Sequence, residues 1–287
     1  MTATLAKLMA IRVEGAAFAY EDRESMLYAI GVGMGRDPLD EAELSYVYEG
    51  PRTLRTVPTM ATVLTQFSAL RTSGIDYAKV LHAEQRLEIH RPLPPAAKLV
   101  GDYKVSGVID KGPEKGIFVF TETKVRDAAD GLPLFTAGGT IIARGDGGIG
   151  GSGMGPPPAA RVPDRAPDHE VALESRLDQA LLYRLNGDRN PLHADPALAR
   201  RAGFPVPILH GLCTYGIACR AIIASACNYD HRRIRRFDVR FSSPVYPGET
   251  IVTEIWRDGN DVTFRCRVRE RNVIAIDNGV CTLVSPE

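Results

Sequence analysis

The chain has no surplus charge. Its 35 Lys and Arg stand against 35 Asp and Glu for a formal net charge of +0, so nothing draws it in bulk to nucleic acid. It has no cysteine before residue 213. The five it carries, Cys213, Cys219, Cys227, Cys266 and Cys281, are odd in number and form no Cys-x-x-Cys pair, which argues against both a disulfide framework and structural zinc. No group of Asp, Glu and His has metal-ligand spacing, so no metal is expected. Apolar runs are short. The longest stretch of small and apolar residues, Gly211 to Cys227, contains Arg220 and falls short of the roughly 20 residues of a membrane span. The opening MTATLAKLMAIRVEG has too short an apolar stretch for a secretory signal, and the closing Ser285-Pro286-Glu287 is not a peroxisomal address; a cytoplasmic location is the expectation.

What is present suits two domains. A length of 287 residues with 44% hydrophobic residues can fill two cores. The segment Gly145 to Pro158, GDGGIGGSGMGPPP, mixes flexible glycine with stiff proline and has almost nothing to bury. It reads as a linker, which divides the chain into residues 1–144, a linker over 145–164, and residues 165–287. The two parts repeat one another. Gly35-Arg36-Asp37-Pro38-Leu39-Asp40 aligns with Asp188-Arg189-Asn190-Pro191-Leu192-His193, Val57-Pro58 with Val206-Pro207, and Arg91-Pro92-Leu93-Pro94-Pro95 with Ser243-Pro244-Val245-Tyr246-Pro247. Three matches in order at an offset of about 150 residues indicate two copies of one fold.

In the second copy, Asp188, Asn190 and His193 follow a turn at Asn186-Gly187 and precede a short helix over Pro196 to Ala202. That helix has Asp195 as its N-cap, Pro196 at its first position and Gly203 as its stop. A carboxylate and an imidazole five residues apart across a bend can converge on one water. The bland alternative is that Asp188 and Asn190 only cap turns and His193 lies on the surface. Gly211 to Cys227 reads as a core helix buried on almost every side, with free N–H groups and the positive dipole end at His210-Gly211. A thioester oxygen would suit that place. The cysteines at 213, 219 and 227 fit as small apolar residues of this helix, and a nucleophilic Cys213 is the sharper alternative.

Strands are expected over Gln85 to His90, Phe118 to Val125 and Thr136 to Arg144, then Phe237 to Phe241, Thr250 to Trp256, Val262 to Arg269 and Val273 to Val284. Most of them follow the helix of their copy, an α+β arrangement. His82, His90 and His169 stand alone and read as structural. Gly31-x-Gly33 with Gly35 lacks the strand and helix of a nucleotide loop. His231 to Arg236, HRRIRR, offers Arg232, Arg233, Arg235 and Arg236 to the phosphates of a coenzyme, or else is a solvated start of a strand.

The run YRLNGDRNPLHADPALARRAGFPVPILHGLCTYG closely resembles the signature of the hydratase 2 group, the (R)-specific enoyl-CoA hydratases of the MaoC-like dehydratase family. The resemblance implies a double hotdog, each copy a central helix wrapped by an antiparallel sheet, acting on acyl-CoA thioesters. It implies Asp188 and His193 as the water-activating pair, Asn190 as their orienting partner and the N–H of Gly211 as the oxyanion donor. His210 and Leu212 fall beside the substrate. Coenzyme A enters only as part of the substrate, no other cofactor is needed, and a homodimer is expected.

The first copy has Gly35, Asp37 and Asp40 where the second has Asp188, Asn190 and His193, so it keeps the shape without the chemistry. Its segment after Pro58, TMATVLTQFSALRTSG, is shorter and more polar than the second copy's helix. In two-domain members of the family the void this leaves receives long or bulky acyl groups, with Ala61 placed to line it; the alternative is an ordinary surface helix. A hotdog thioesterase would take the same substrates, yet usually with a carboxylate on the central helix, and Gly211 to Cys227 has none. A non-catalytic acyl-CoA binder would require a second degenerate site.

Overall fold

The computed structural model describes residues 3–50, 53–65, 68–157 and 160–285. Gln66 and Phe67 of the polar segment, Pro158 at the linker's end, and Pro286 and Glu287 of the chain's terminus lie outside the described residues. In chain order the elements are α1 (Leu5–Met9), β1 (Arg12–Tyr20), α2 (Asp22–Gly31), α3 (Glu41–Val47), α4 (Ala61–Leu64), β2 (Val80–Ile89), β3 (Ala97–Asp110), β4 (Ile117–Asp127) and β5 (Pro133–Ala143), followed by β6 (His169–Glu174), α5 (Gln179–Tyr183), α6 (Pro196–Arg201), α7 (Gly211–Cys227), β7 (Ile234–Phe241), β8 (Thr250–Asp258), β9 (Asp261–Val268) and β10 (Val273–Leu283).

The ten strands form one antiparallel sheet in the order β1-β3-β4-β5-β2-β7-β10-β9-β8-β6. Each half therefore contributes five strands in the same internal order, and the halves meet where β2 pairs with β7, Gln85 opposite Val239. This is the double hotdog. The seven expected strands are all present within a few residues of their expected ends. Three more are present that the alternation did not reveal. β1 is bulged between Val13 and Ala16 around Gly15 at φ +64°, β3 is bulged between Val105 and Gly107, and β6 is a short, mostly exposed edge strand; bulges and edges both blur a period of two.

α7 fits its expectation end to end. Twelve of its 17 residues are buried, and Asn228 at φ 48° closes it. The helix lies against a core that takes in both halves, from Tyr28 and Val57 to Phe264 and Ile276. At Gly216 an added Cβ would come within 2.4 Å of Val32 and 2.9 Å of the Tyr28 hydroxyl, so the first half packs directly on the α7 backbone, as only glycine allows. α7's one charge, Arg220, reaches across to Glu43 of α3, Nε to Oε1 at 2.5 Å and Nη2 to Oε2 at 2.9 Å.

The first half's counterpart of α7 is much shorter. A 3-10 turn over Pro58–Met60 leads into the four residues of α4. The apolar residues of the first half are split between the shared core and a smaller cluster that includes Leu8, Ile75, Val105, Val108, Ile117 and Val119. The linker is better anchored than its composition suggests. Asp110 accepts the N–H groups of Gly148 at 3.0 Å and Gly150 at 2.7 Å, Ser152 pairs with Val108, and Ile149 packs on the smaller cluster. Among the described residues no helix is long and apolar enough to cross a membrane.

Candidate active site

Two short segments build the site. Gly187, at φ +120°, turns the chain after Asn186, and Asp188 follows with its Oδ1 accepting the Asn190 N–H at 3.1 Å. Asn190 in turn caps the 3-10 turn Pro191–His193, its Oδ1 accepting the Leu192 N–H at 3.0 Å. That bond fixes the Asn190 side chain at the head of the turn through Oδ1, and Asn190 is exposed, so its Nδ2 stays available to the pair or to a substrate. The first half keeps this device. Asp37 Oδ1 accepts the Leu39 N–H at 2.9 Å in the aligned position, and Asp40, aligned with His193, is the N-cap of α3.

His193 is not a surface residue. It is 8% exposed, and its Nδ1 donates to the carbonyl of Ile208 at 2.8 Å. That bond leaves the Nε2 lone pair bare. His210 lies against it, the two rings stacked at 3.7 Å and 26°, and His210 Nε2 donates to the Asp188 carbonyl at 3.1 Å. One buried imidazole thus braces both the ring of His193 and the backbone of Asp188. At 1% exposure His210 cannot touch coenzyme A, and the expected substrate contact becomes a positioning role.

A carboxylate oxygen of Asp188 and one ring nitrogen from each of His193 and His210 lie within 4.8 Å of one another, a convergence that linear spacing did not reveal. One nitrogen of each ring is already spent on a backbone carbonyl, His193 Nδ1 on Ile208 and His210 Nε2 on Asp188, so a metal there would have to take the other nitrogen of each. The Asp188 oxygen and the His193 nitrogen can, however, be spanned by one water at about 2.8 Å from each. Burial lowers the pKa of His193, against the Ile208 carbonyl and the Asp188 charge. It is neutral and able to accept at neutral pH.

The N-terminus of α7 lies beside the pair, because its N-cap, His210, is the ring stacked on His193. No side chain caps it, and Gly211 is exposed, so its N–H is free for a ligand. An added Cβ at Gly211 would stand 3.3 Å from the Phe241 ring, which fixes how narrow the approach is. Leu212 is half-buried and packed on the core. Cys213 is fully buried, burial pushes its thiol well above the usual range, and its Sγ reaches the Gly31 carbonyl at 3.5 Å; it is a packing residue.

The arginines expected to meet coenzyme A are elsewhere. They follow the C-terminus of α7, a helix of 17 residues and hence about 25 Å long. Arg232 pairs with Asp230 and Arg236 with Asp238. Arg233 donates to the carbonyls of Ala226 and Val284. Arg235 and Arg236 line a cleft of about 660 Å³ that also includes Arg86, Phe120 and Met154. Linear order did not reveal which end of the helix they would occupy. Ala61 is likewise corrected: it is fully buried in the shared core and does not line an opening. His82, read as a lone structural residue, is beside the site, its ring 5.0 Å from that of Phe241.

Residues 158–279 match the family model of the MaoC like domain, and residues 18–145 that of the MFE-2 hydratase 2 N-terminal domain. An enoyl-CoA hydratase of Mycobacterium tuberculosis is 40% identical over 268 residues, 92% of either chain. The chain belongs to the MaoC-like dehydratases, in their hydratase 2 group. A peroxisomal enoyl-CoA hydratase 2 of Arabidopsis thaliana is 37% identical, with 92% of this chain and 91% of that one covered. The crystal structure of a MaoC-like dehydratase from Phytophthora capsici superimposes with a TM-score of 0.88 at 32% identity, covering 98% of both chains.

The buried histidines of this MaoC-like chain set a pH limit on its stability. Burial lowers His231 to about 4, helped by Arg55, and lowers His210 likewise to about 4, helped by His193. In the unfolded chain both titrate near 6.5. Between about 6.5 and 4 the unfolded chain takes up protons that the folded one refuses, so stability falls as pH falls through that window. The melting temperature at pH 5 should lie below that at pH 7, and His231→Phe should narrow the difference. An unchanged difference would show that other groups set it.

Proposed function

We propose that this site hydrates trans-2-enoyl-CoA reversibly to (3R)-3-hydroxyacyl-CoA, which makes the protein a hydro-lyase. The observation that carries the reading is the convergence of the Asp188 carboxylate with the His193 ring, whose Nδ1 is spent on Ile208 and whose Nε2 is left bare, beside the exposed Gly211 that opens α7. With His193 neutral, both groups can accept a hydrogen bond from one water. One of them takes a proton as the water oxygen bonds to C3, and the displaced π electrons move onto the thioester oxygen at Gly211 N–H. The same group returns that proton to C2 on the same face, the enolate collapses, and the site is restored. The scheme balances without a metal or redox group.

The test is direct. Purified protein mixed with a trans-2-enoyl-CoA should remove the conjugated absorbance without releasing free thiol, and a chelator should leave the rate unchanged. Thiol release would mean a thioesterase, and no change would mean a binder. A chelator-sensitive rate would overturn the metal-free scheme. α7 carries no carboxylate, which favours the hydratase.

Long or bulky acyl groups are part of the proposal, supported by the contrast of 4 helical residues in α4 with 17 in α7. Because Ala61 is enclosed, the probe belongs at the end of the short helix, where Leu64 is half-buried. Leu64→Trp should cost bulky substrates roughly 5-fold to 150-fold in kcat/KM, the scale of about 1 to 3 kcal/mol of overpacking, and leave short ones nearly unchanged. Equal losses across chain lengths would remove the acyl site from this place. A homodimer, read as twice the 31.2 kDa chain mass in solution, and a cytoplasmic location, read by cell fractionation, complete the proposal.

A further inference from the structure

His82 belongs to the first half, 106 positions before Asp188 in the sequence, and a single irregularity in β2 brings it to the site. Gln85, Leu87 and Ile89 are buried on the helix-facing side of the sheet, while the side chain of Glu84 is held on the other face by Arg86 and Thr140. A regular strand would put His82 on the same face as Glu84. Instead the β2–β5 register shifts between His82 and Glu84: His82 pairs with Ile141 and Glu84 with Thr140, two steps on one strand against one on the other. The extra residue, Ala83, reverses the alternation and turns His82 to the helix side, where its partner Ile141 packs on the inner cluster. Bulges beside sites commonly re-aim a side chain in this way.

There the imidazole is half-buried against Phe241, whose ring closes on Gly211. Its Nε2 donates to the Glu84 carbonyl at 3.1 Å, which fixes the tautomer and leaves Nδ1 as a lone pair. Gly139 on β5 keeps the space beside the ring narrow but open, since an added Cβ would stand 3.9 Å from Nε2 and 3.0 Å from Thr121 Oγ1. Burial lowers the pKa of His82 to about 4, opposed by the Glu84 carbonyl and the charge of Asp188. The ring is an acceptor throughout the working pH range.

An acceptor needs a donor, and the donors can be counted. In the proposed reaction the water spends its two O–H groups on Asp188 and His193. The thioester oxygen and sulfur only accept. The remaining donors close to the reacting carbons of an enoyl-CoA are the amide N–H groups of the pantetheine arm, the first of them two carbons beyond the sulfur.

We propose that His82 is a substrate-binding residue supplied by the first half, whose Nδ1 accepts a hydrogen bond from the pantetheine amide next to the thioester. The half that lacks the water-activating pair thus still contributes a polar group to the site, and the site spans the seam between β2 and β7. The assignment rests on the hydratase reading above.

The experiment crosses two variants with three thioesters of one short enoyl acid: the coenzyme A ester, the N-acetylcysteamine ester, which keeps the first amide, and the S-propyl ester, which has none. His82→Phe keeps a ring against Phe241 without an acceptor. It should lower kcat/KM about 5- to 10-fold on the two amide-bearing esters and less than about 2-fold on the S-propyl ester, the loss expected for one neutral hydrogen bond. His82→Asn keeps an acceptor near the place of Nδ1 and should restore part of the discrimination between amide-bearing and amide-free esters. Equal losses on all three esters would place His82 in the chemistry or the fold, and no loss on any would make it packing alone; either result overturns the proposal. A wild-type protein that hydrates none of them, or an Asp188→Ala variant that still does, would instead sink the hydratase reading.

Discussion

Alanine at Asp188 or at His193 should each lower turnover by about 10² to 10⁴, roughly 3 to 5 kcal/mol, the scale of a positioned acid–base group. The two variants should differ in stability. Asp188 is half-buried and its carboxylate makes one turn bond, from the Asn190 N–H, so its loss should be nearly silent in a melting curve. His193 is buried, bonded to the Ile208 carbonyl and stacked on His210. Its removal leaves that carbonyl without its partner and should cost about 1 to 3 kcal/mol of stability as well. Steady-state rates on a trans-2-enoyl-CoA, taken with melting temperatures, separate the two effects. A variant of either residue that keeps more than half of wild-type turnover would end the assignment.

The parts of this site that are local in sequence were legible in it. Asp188 to His193 form one turn, His210 and Gly211 start one helix, and both segments carry their own punctuation in Gly187, Asp195, Pro196 and Gly203. α7 was legible for the same reason: a long apolar run admits one buried helix, and its ends coincide with a glycine and an asparagine. What was not legible depends on register and distance. The face on which His82 lies is decided by one extra residue, Ala83, and no local propensity marks it. The stacking of His210 on His193 joins residues 17 positions apart through the bend between α6 and α7, and the phosphate-binding chemistry of the arginines after α7 says nothing of which end of a 17-residue helix they occupy. Ala61 aligned correctly with the second copy's helix start, yet alignment could not show that the neighbouring core had closed around it.

The ion pair of Arg220 with Glu43 should dominate stability without touching catalysis. Both side chains are largely buried, 12% and 4% exposed, the pairing is two-pronged, and Glu43 also accepts the Gly35 N–H at 2.8 Å. Glu43→Ala leaves a guanidinium buried on α7 with its carboxylate removed, a loss of about 3 to 5 kcal/mol. At roughly 2 to 4 °C per kcal/mol for a chain of this size, the melting temperature should fall on the order of 10 °C. Arg220 is nine residues beyond Gly211, about 13 Å along the helix, so kcat of the folded variant measured well below its melting point should stay near wild type. The double variant Glu43→Leu with Arg220→Met removes both charges and keeps the volume, and it should recover most of the lost stability. A single variant that melts within about 2 °C of wild type would show that the contact between α3 and α7 is held by packing alone; a double variant no better than the single would show that the penalty comes from the lost Gly35 bond rather than from the stranded charge.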